Sequence, residues 1–248
     1  MNGLSTARKI SRFFEAIETS LYRLAGLRRS HEIFPSLLRE AVAKQRDFYF
    51  VQIGAFDGDT ADPLFALAKE LRLRGCLVEP QRTAFERLKL NYAFSNAVTF
   101  ECAAIADADG PTSLYVPNVD WLRQRGVKWG DPLAAASLSR DQVVRQVRKY
   151  AGEAPPECID TERIETLSFS SLVAKHGIDR IDLLQIDTEG HDGKILSMID
   201  LERWRPRLIH WEQRFLARRE KQQLSRRLRR IGYRIQSARA NAIAVLRS

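Results

Sequence analysis

The sequence is poor in the residues that build disulfide scaffolds and thiolate metal sites. Three of its 248 residues are cysteine (Cys76, Cys102 and Cys158), and no two form a CxxC pair. An odd, scattered set argues against a disulfide framework or a cysteine zinc site. Cys76 and Cys102 sit in apolar runs, where a thiol serves as a small core residue, and this usage fits a reducing compartment. No stretch approaches the roughly 20 apolar residues of a membrane span, and none has the form of a signal peptide, so a cytoplasmic location is expected. Glycine and proline, at 13 and 9 residues, are too few for a fibrous or low-complexity chain, and no internal repeat of fixed period occurs.

What is present supports one sizeable core, since 44% of the residues are hydrophobic. The formal net charge of +9 is unevenly placed: thirteen Lys/Arg against two Glu lie between Arg203 and Arg239, a surplus of eleven, leaving the rest of the chain at about −2. A solvated helix face accounts for such a run, and an anionic partner is the alternative.

Residues 5–29 have helical spacing, with Ile10, Phe13, Phe14, Ile17, Leu21 and Leu24 on one face and Arg or Lys on much of the rest. That stripe suits docking on the core or pairing with a second copy of the chain, with contact at a membrane surface as a third use. Residues 1–46 read as an N-terminal helical extension and 47–248 as the main domain. Phe48–Ile53 is an almost wholly apolar run, the mark of a strand buried on both faces of a parallel sheet. A turn, Gly54-Ala-Phe-Asp-Gly58, follows it, and a helix is expected from near Thr60. Further strands are expected at Gly75–Glu79, Val98–Ile105, Thr112–Val116, Thr161–Leu167, Asp182–Asp187 and Leu208–Glu212. Helices are expected over about 82–94, near Leu172, after Gly190 and over about 215–230. The segments Gly232–Gln236 and Ile243–Leu246 could close the sheet as an antiparallel pair. Residues 117–157 break the rhythm and read as an insertion or lid with one helix at about 141–150 and no core of its own. The fold class is therefore α/β, a doubly wound and mainly parallel sheet with helices on both faces. Its ligand crevice lies at the carboxyl ends of the strands.

Two clusters can carry chemistry there. Glycines at Gly54 and Gly58 permit close approach of a ligand, and Glu79, 25 positions beyond Gly54 at the next strand end, can accept the hydroxyl hydrogens of a ribose. An adenosine-containing cofactor follows. The loop has no GxGxxG to seat a pyrophosphate, and Asp57 and Asp59 would repel one; they suit the ammonium and sulfonium of S-adenosyl-L-methionine. The second cluster is Asp187-Thr188-Glu189-Gly190-His191 with Glu212 at the next strand end. Asp187 and Glu212 could hold a divalent cation such as magnesium, and His191 could accept a substrate proton. His210, on a buried strand, reads as structural, and His31 and His176 as surface residues. Trp121 and Trp129 read as packing residues that could also line a pocket.

These residues resemble the FkbM-type methyltransferases, a branch of the class I fold that uses S-adenosyl-L-methionine. The likeness runs from about Tyr49 to Leu246. It rests on Val51-Gln-Ile-Gly-Ala-Phe-Asp-Gly-Asp-Thr60, Leu77-Val-Glu-Pro80, Glu101-Cys-Ala-Ala-Ile-Ala-Asp107, and above all Ile181-Asp-Leu-Leu-Gln-Ile-Asp-Thr-Glu-Gly190. The resemblance implies a seven-stranded Rossmann-like sheet. It implies that Gly54, Gly58 and Glu79 hold the cofactor, with Ala103 and Ala104 near the adenine; Ala55, Asp57, Asp59 and Thr60 of the same loop are expected to contact it as well. It also implies a reaction site formed by Asp187, Glu189 and Glu212. Gln52, Phe56 and His191 depart from the family's usual residues. The implied activity is O-methylation of a hydroxyl on a sugar, glycan or small natural product. A Rossmann-like module that binds nucleic acid or an anionic membrane through the basic helix is the alternative. The absence of aromatics among its charges argues against nucleic acid.

Overall fold

The computed structural model describes residues 30–237 and 240–247. The helix expected over 5–29 lies outside them. Helix α1 (Ser30–Ala43) leads into β1 (Tyr49–Ile53), α2 (Phe65–Glu70), β2 (Arg74–Val78), α3 (Arg82–Asn91) and β3 (Val98–Glu101). Next come β4 (Ala104–Ile105), β5 (Gly110–Pro117), α4 (Val119–Gln124), α5 (Arg140–Ala151), β6 (Ile159–Leu167) and α6 (Phe169–Lys175). The chain ends with β7 (Leu183–Ile186), α7 (Asp192–Met198), α8 (Leu201–Trp204), β8 (Leu208–Glu212), α9 (Arg218–Arg230), β9 (Tyr233–Ser237) and β10 (Asn241–Leu246).

Seven strands form the main sheet in the order β3-β2-β1-β7-β8-β10-β9, parallel except where β10 pairs with β8 and β9. The apolar strand runs are explained by burial on both sides. On one face Val51, Ile53, Leu184, Ile186 and Ile209 pack with Phe169, Leu172, Ile195, Leu224 and Leu228 of α6, α7 and α9. On the other, Phe50, Leu77 and Leu183 pack with Phe34, Leu38, Leu67, Phe85 and Leu88 of α1, α2 and α3. The strand order reverses between β1 and β7, so the crevice opens above their carboxyl ends. Among the described residues no helix is long and apolar enough to cross a membrane.

Several elements differ from the sequence expectation. The strand expected over 98–105 breaks after Glu101, and Ala104–Ile105 pairs with β6 in a second sheet, β4-β6-β5. The helix expected from Thr60 starts at Phe65, because the intervening polar groups are otherwise engaged: Asp57 holds Thr60, and Asp62 accepts from the Leu64 N–H at 2.9 Å. Residues 117–157 do pack around a small core, with Trp121, Leu122, Val143 and Val147 buried together against Cys158 just beyond them. Both helices of this insertion are capped, α4 by Asn118 and α5 by Ser139. His176 is not a free surface residue: its Nε2 lies 2.9 Å from Glu101, which Lys175 also engages. His210 is structural as expected, stacked on Phe34 at 4.8 Å between ring centroids.

Candidate active site

The site begins where β1, β2 and β7 end side by side. Gly54 donates to the Val78 carbonyl at 2.9 Å, and the Asp187 N–H donates to the Ile53 carbonyl at 2.9 Å. Gly54 has a φ of +78°, and a Cβ there would stand 1.8 Å from the Asp187 carbonyl oxygen, so no other residue fits. The loop beyond it is held from within. The Asp57 carboxylate accepts from the Thr60 N–H and hydroxyl at 2.8 Å each and from the Asp59 N–H at 3.1 Å. Desolvation works to raise the Asp57 pKa, but these hydrogen bonds prevail and hold it below the usual carboxylate range. Gly58 packs under Leu88 and Tyr92. Of this loop, Gly54 and Phe56 line the cavity; Ala55, Asp57, Gly58, Asp59 and Thr60 do not, and serve to shape it.

The space between the lining residues, including the part open to solvent, is about 580 Å³. One end is an apolar slot of Pro80, Ala103, Ala104, Ile105, Leu114 and Ile195, with the single buried carboxylate of Glu79 at its wall. Each Glu79 oxygen accepts one backbone N–H, from Phe56 and from Gln81, both at 2.8 Å. Burial still pushes its pKa up to about 7. Leu133, Ala134, Ala136, Ser137 and Leu138 of the insertion form the roof.

The other end is acidic. One oxygen from each of Asp187, Glu189 and Glu212 lies within 4.8 Å of the others. Glu189 occupies a left-handed conformation, φ +51°, ahead of Gly190 at +107°. This strained turn is held by the insertion: Ser137 Oγ donates to the Glu189 carbonyl at 3.1 Å, and Gln146 Nε2 donates to its carboxylate at 3.1 Å. Desolvation, followed by the charge of Asp187, raises the Glu189 pKa to about 7. Glu212 is buried and Arg214 Nε lies 3.3 Å from its Oε1, while its Oε2 has no partner. Poor solvation in the crevice raises the pKa of Asp187 too, with Asp192 adding to it. The Asp187 side chain is open to solvent at the cavity mouth. His191 lines the cavity with its pKa lowered by burial and Lys194, which keeps the imidazole neutral and able to accept a proton.

Four contributors escaped the sequence reading. Ser137 and Gln146 arrive from an insertion more than forty residues away in the chain. Asp192, fully buried, accepts from Thr188 Oγ1 at 2.9 Å and from the Glu212 N–H at 3.0 Å, tying the turn to the next strand. An acid in the first turn of a helix was the available signal. Asp62 accepts from Gln52 at 3.2 Å and Gln185 at 3.0 Å, which leaves the Oε1 of each glutamine buried and unpaired. Trp121 is buried in the insertion core and Trp129 stacks on Tyr150, so neither lines the cavity.

Residues 52–235 match the methyltransferase FkbM domain. The chain belongs to that family. The family is one of methyltransferases, and it implies S-adenosylmethionine as cofactor. No protein of curated function matches the chain. Among solved structures it is similar to methyltransferase FkbM from Methylobacillus flagellatus KT, at 11% identity and a TM-score of 0.48 over 82% of this chain and 45% of that one. It thus spans less than half the length of that protein. A methyltransferase from Geobacter sulfurreducens is similar at 13% identity and a TM-score of 0.44, over 97% and 96% of the two chains. Ribosomal protein L11 methylase from Lactobacillus delbrueckii subsp. bulgaricus is similar at 9% identity and a TM-score of 0.41, over 86% and 77%.

The residues present fit the cofactor. An apolar slot walled by a buried carboxylate suits an adenosine, and the excess of uncompensated carboxylate at the other end suits a cationic sulfonium.

Proposed function

We propose that the protein methylates a hydroxyl oxygen of a sugar, glycan or small natural product, with Asp187 as the base. The observation that carries this reading is the carboxylate group at the cavity, where Asp187 and Glu189 line the same space as Glu79 and Glu212 lies within 4.8 Å of them. Gly54, Glu79, Ala103 and Ala104 would hold S-adenosylmethionine, which supplies an electrophilic methyl group when bound. The chain's own task is to hold the acceptor oxygen in line and to take its proton. Asp187 accepts no hydrogen bond from any described residue, faces the cavity and has a pKa raised from the ordinary carboxylate value, the properties of a base poised for neutral pH. Glu189 and Glu212 flank the acceptor, and neutral His191 is a second proton acceptor. Membership in the FkbM methyltransferase family supports this reading over the non-catalytic alternative considered from sequence.

The test is transfer of labelled methyl from S-adenosylmethionine to a panel of hydroxylated acceptors. Asp187→Asn should lower turnover about 100-fold or more with the cofactor still bound, and His191→Ala by less than about tenfold. Wild-type turnover in Asp187→Asn would refute the assignment. The 4.8 Å grouping of Asp187, Glu189 and Glu212 favours one further reading, in which the same oxygens hold a divalent cation. Turnover abolished by a chelator and restored by magnesium would establish it; turnover indifferent to chelator would exclude it.

A further inference from the structure

The outer face of α9 carries Arg218, Arg219, Arg226, Arg229 and Arg230, all exposed, with Gln222 and Gln223 between them. At 100° per residue these seven fall within a single arc, opposite Leu224 and Leu228, which are buried in the core. None of the five guanidinium groups has an ion pair or hydrogen bond among the described residues. Arg227 is different, since it donates to the Leu196 and Ile199 carbonyls and anchors the helix. The helix's one acid, Glu220, accepts from the Ala217 N–H at its amino end. A row of five unpaired guanidinium groups over about 20 Å repels itself and awaits an anion.

The row starts at the active site. Arg214 touches Glu212, and Phe215 packs beside Gly190, just before the helix begins. Across the mouth, α5 bears Arg145 and Lys149 beside Gln146, and Lys149 is near enough to Glu189 for its charge to bear on that carboxylate. A separate groove holds Arg205, Arg207, Arg234 and Arg247 together with Glu40 and Asp182, and Arg207 pairs with Asp182 there. The result is an acidic floor with a cationic rim and a cationic track leading away from it.

We propose that the acceptor belongs to an acidic polysaccharide, whose carboxylate or phosphate groups lie along α9 while one of its hydroxyls enters the site. This rests on the methyl-transfer reading above. Arginine forks match carboxylate and phosphate geometry. A bilayer fits less well: the apolar side of α9 is consumed in the core, and the exposed large apolar residues among those described, Leu90, Phe94 and Tyr150, are elsewhere. Single-stranded nucleic acid fits less well because the face offers no aromatic ring for stacking.

The experiment measures binding of a long oligogalacturonate to the full chain at low salt. A neutral maltodextrin, phosphatidylglycerol vesicles and RNA serve as competing probes. Variants are Arg219→Gln/Arg226→Gln/Arg230→Gln and the corresponding triple lysine. Oligogalacturonate should bind in preference to the other three and weaken with salt. It should lose about tenfold or more in affinity in the glutamine variant, with partial recovery in the lysine variant. S-adenosylhomocysteine binding should be equal in all three proteins, which also reports folding. Oligogalacturonate that binds no better than maltodextrin, binding indifferent to the glutamine substitutions, or tighter binding of vesicles or RNA would overturn the proposal. Absence of S-adenosylhomocysteine binding to the folded wild type would instead sink the methyl-transfer reading.

Discussion

Gly54 and Glu79 were legible as residues because each answers to a local rule: a glycine at a strand end and an acid at the next one. The structure shows why Gly54 has no substitute. A Cβ in Gly54→Ala would meet the Asp187 backbone at 1.8 Å, so the ends of β1 and β7 must separate. That variant should lose on the order of 2 kcal/mol of stability in denaturant titration, together with cofactor affinity; unchanged stability would contradict the close approach described. Asp187, Glu189 and Glu212 were also legible, as residues around a buried strand end. Asp57 was placed in the right loop with a different task, because its carboxylate turns back onto Thr60 and Asp59. Nothing local distinguishes a loop-shaping acid from one that faces a ligand.

At the scale of elements, the apolar strands and their alternation with helices were readable because a buried parallel strand leaves a continuous apolar run. The bend after Glu101 and the second sheet were not readable, since the pairing of β4 with β6 joins segments more than fifty residues apart. The insertion was expected, but its core and its reach into the site escaped for the same reason, and with them Ser137 and Gln146. Gln146 stabilises the charged form of Glu189, so Gln146→Leu should raise the Glu189 pKa above its present value of about 7. Side-chain carboxyl titration by NMR would read this directly, and an unshifted Glu189 would remove α5 from the site. The same variant should speed amide exchange at Glu189 and Gly190, with global stability changed by less than about 1.5 kcal/mol.

For the whole molecule, the raised carboxylates make stability depend on pH in a definite sense. Glu79 and Glu189 titrate at about 7 and Asp62 at about 6 in the folded chain, each above its ordinary value. The folded state therefore binds more protons than the unfolded state, and the stability they contribute is full below the unfolded values and lost as pH rises through 6 to 7. His210 acts in the opposite sense. Burial lowers its pKa to about 4, so its contribution is lost as pH falls from 6.5 toward 4. The melting temperature of the ligand-free protein should thus fall between pH 6 and pH 8, and fall less in Glu79→Gln. A rise over that range would contradict the account of the buried acids.

The central claim is a cavity between the glycine loop, Glu79 and Asp187 that holds S-adenosylmethionine. Calorimetric titration of the full chain with S-adenosylhomocysteine, beside Glu79→Ala, tests it most directly. The account predicts micromolar binding to the wild type and a loss of at least about tenfold in Glu79→Ala, whose melting stays cooperative. No binding to the folded wild type, or equal binding to both proteins, would contradict it.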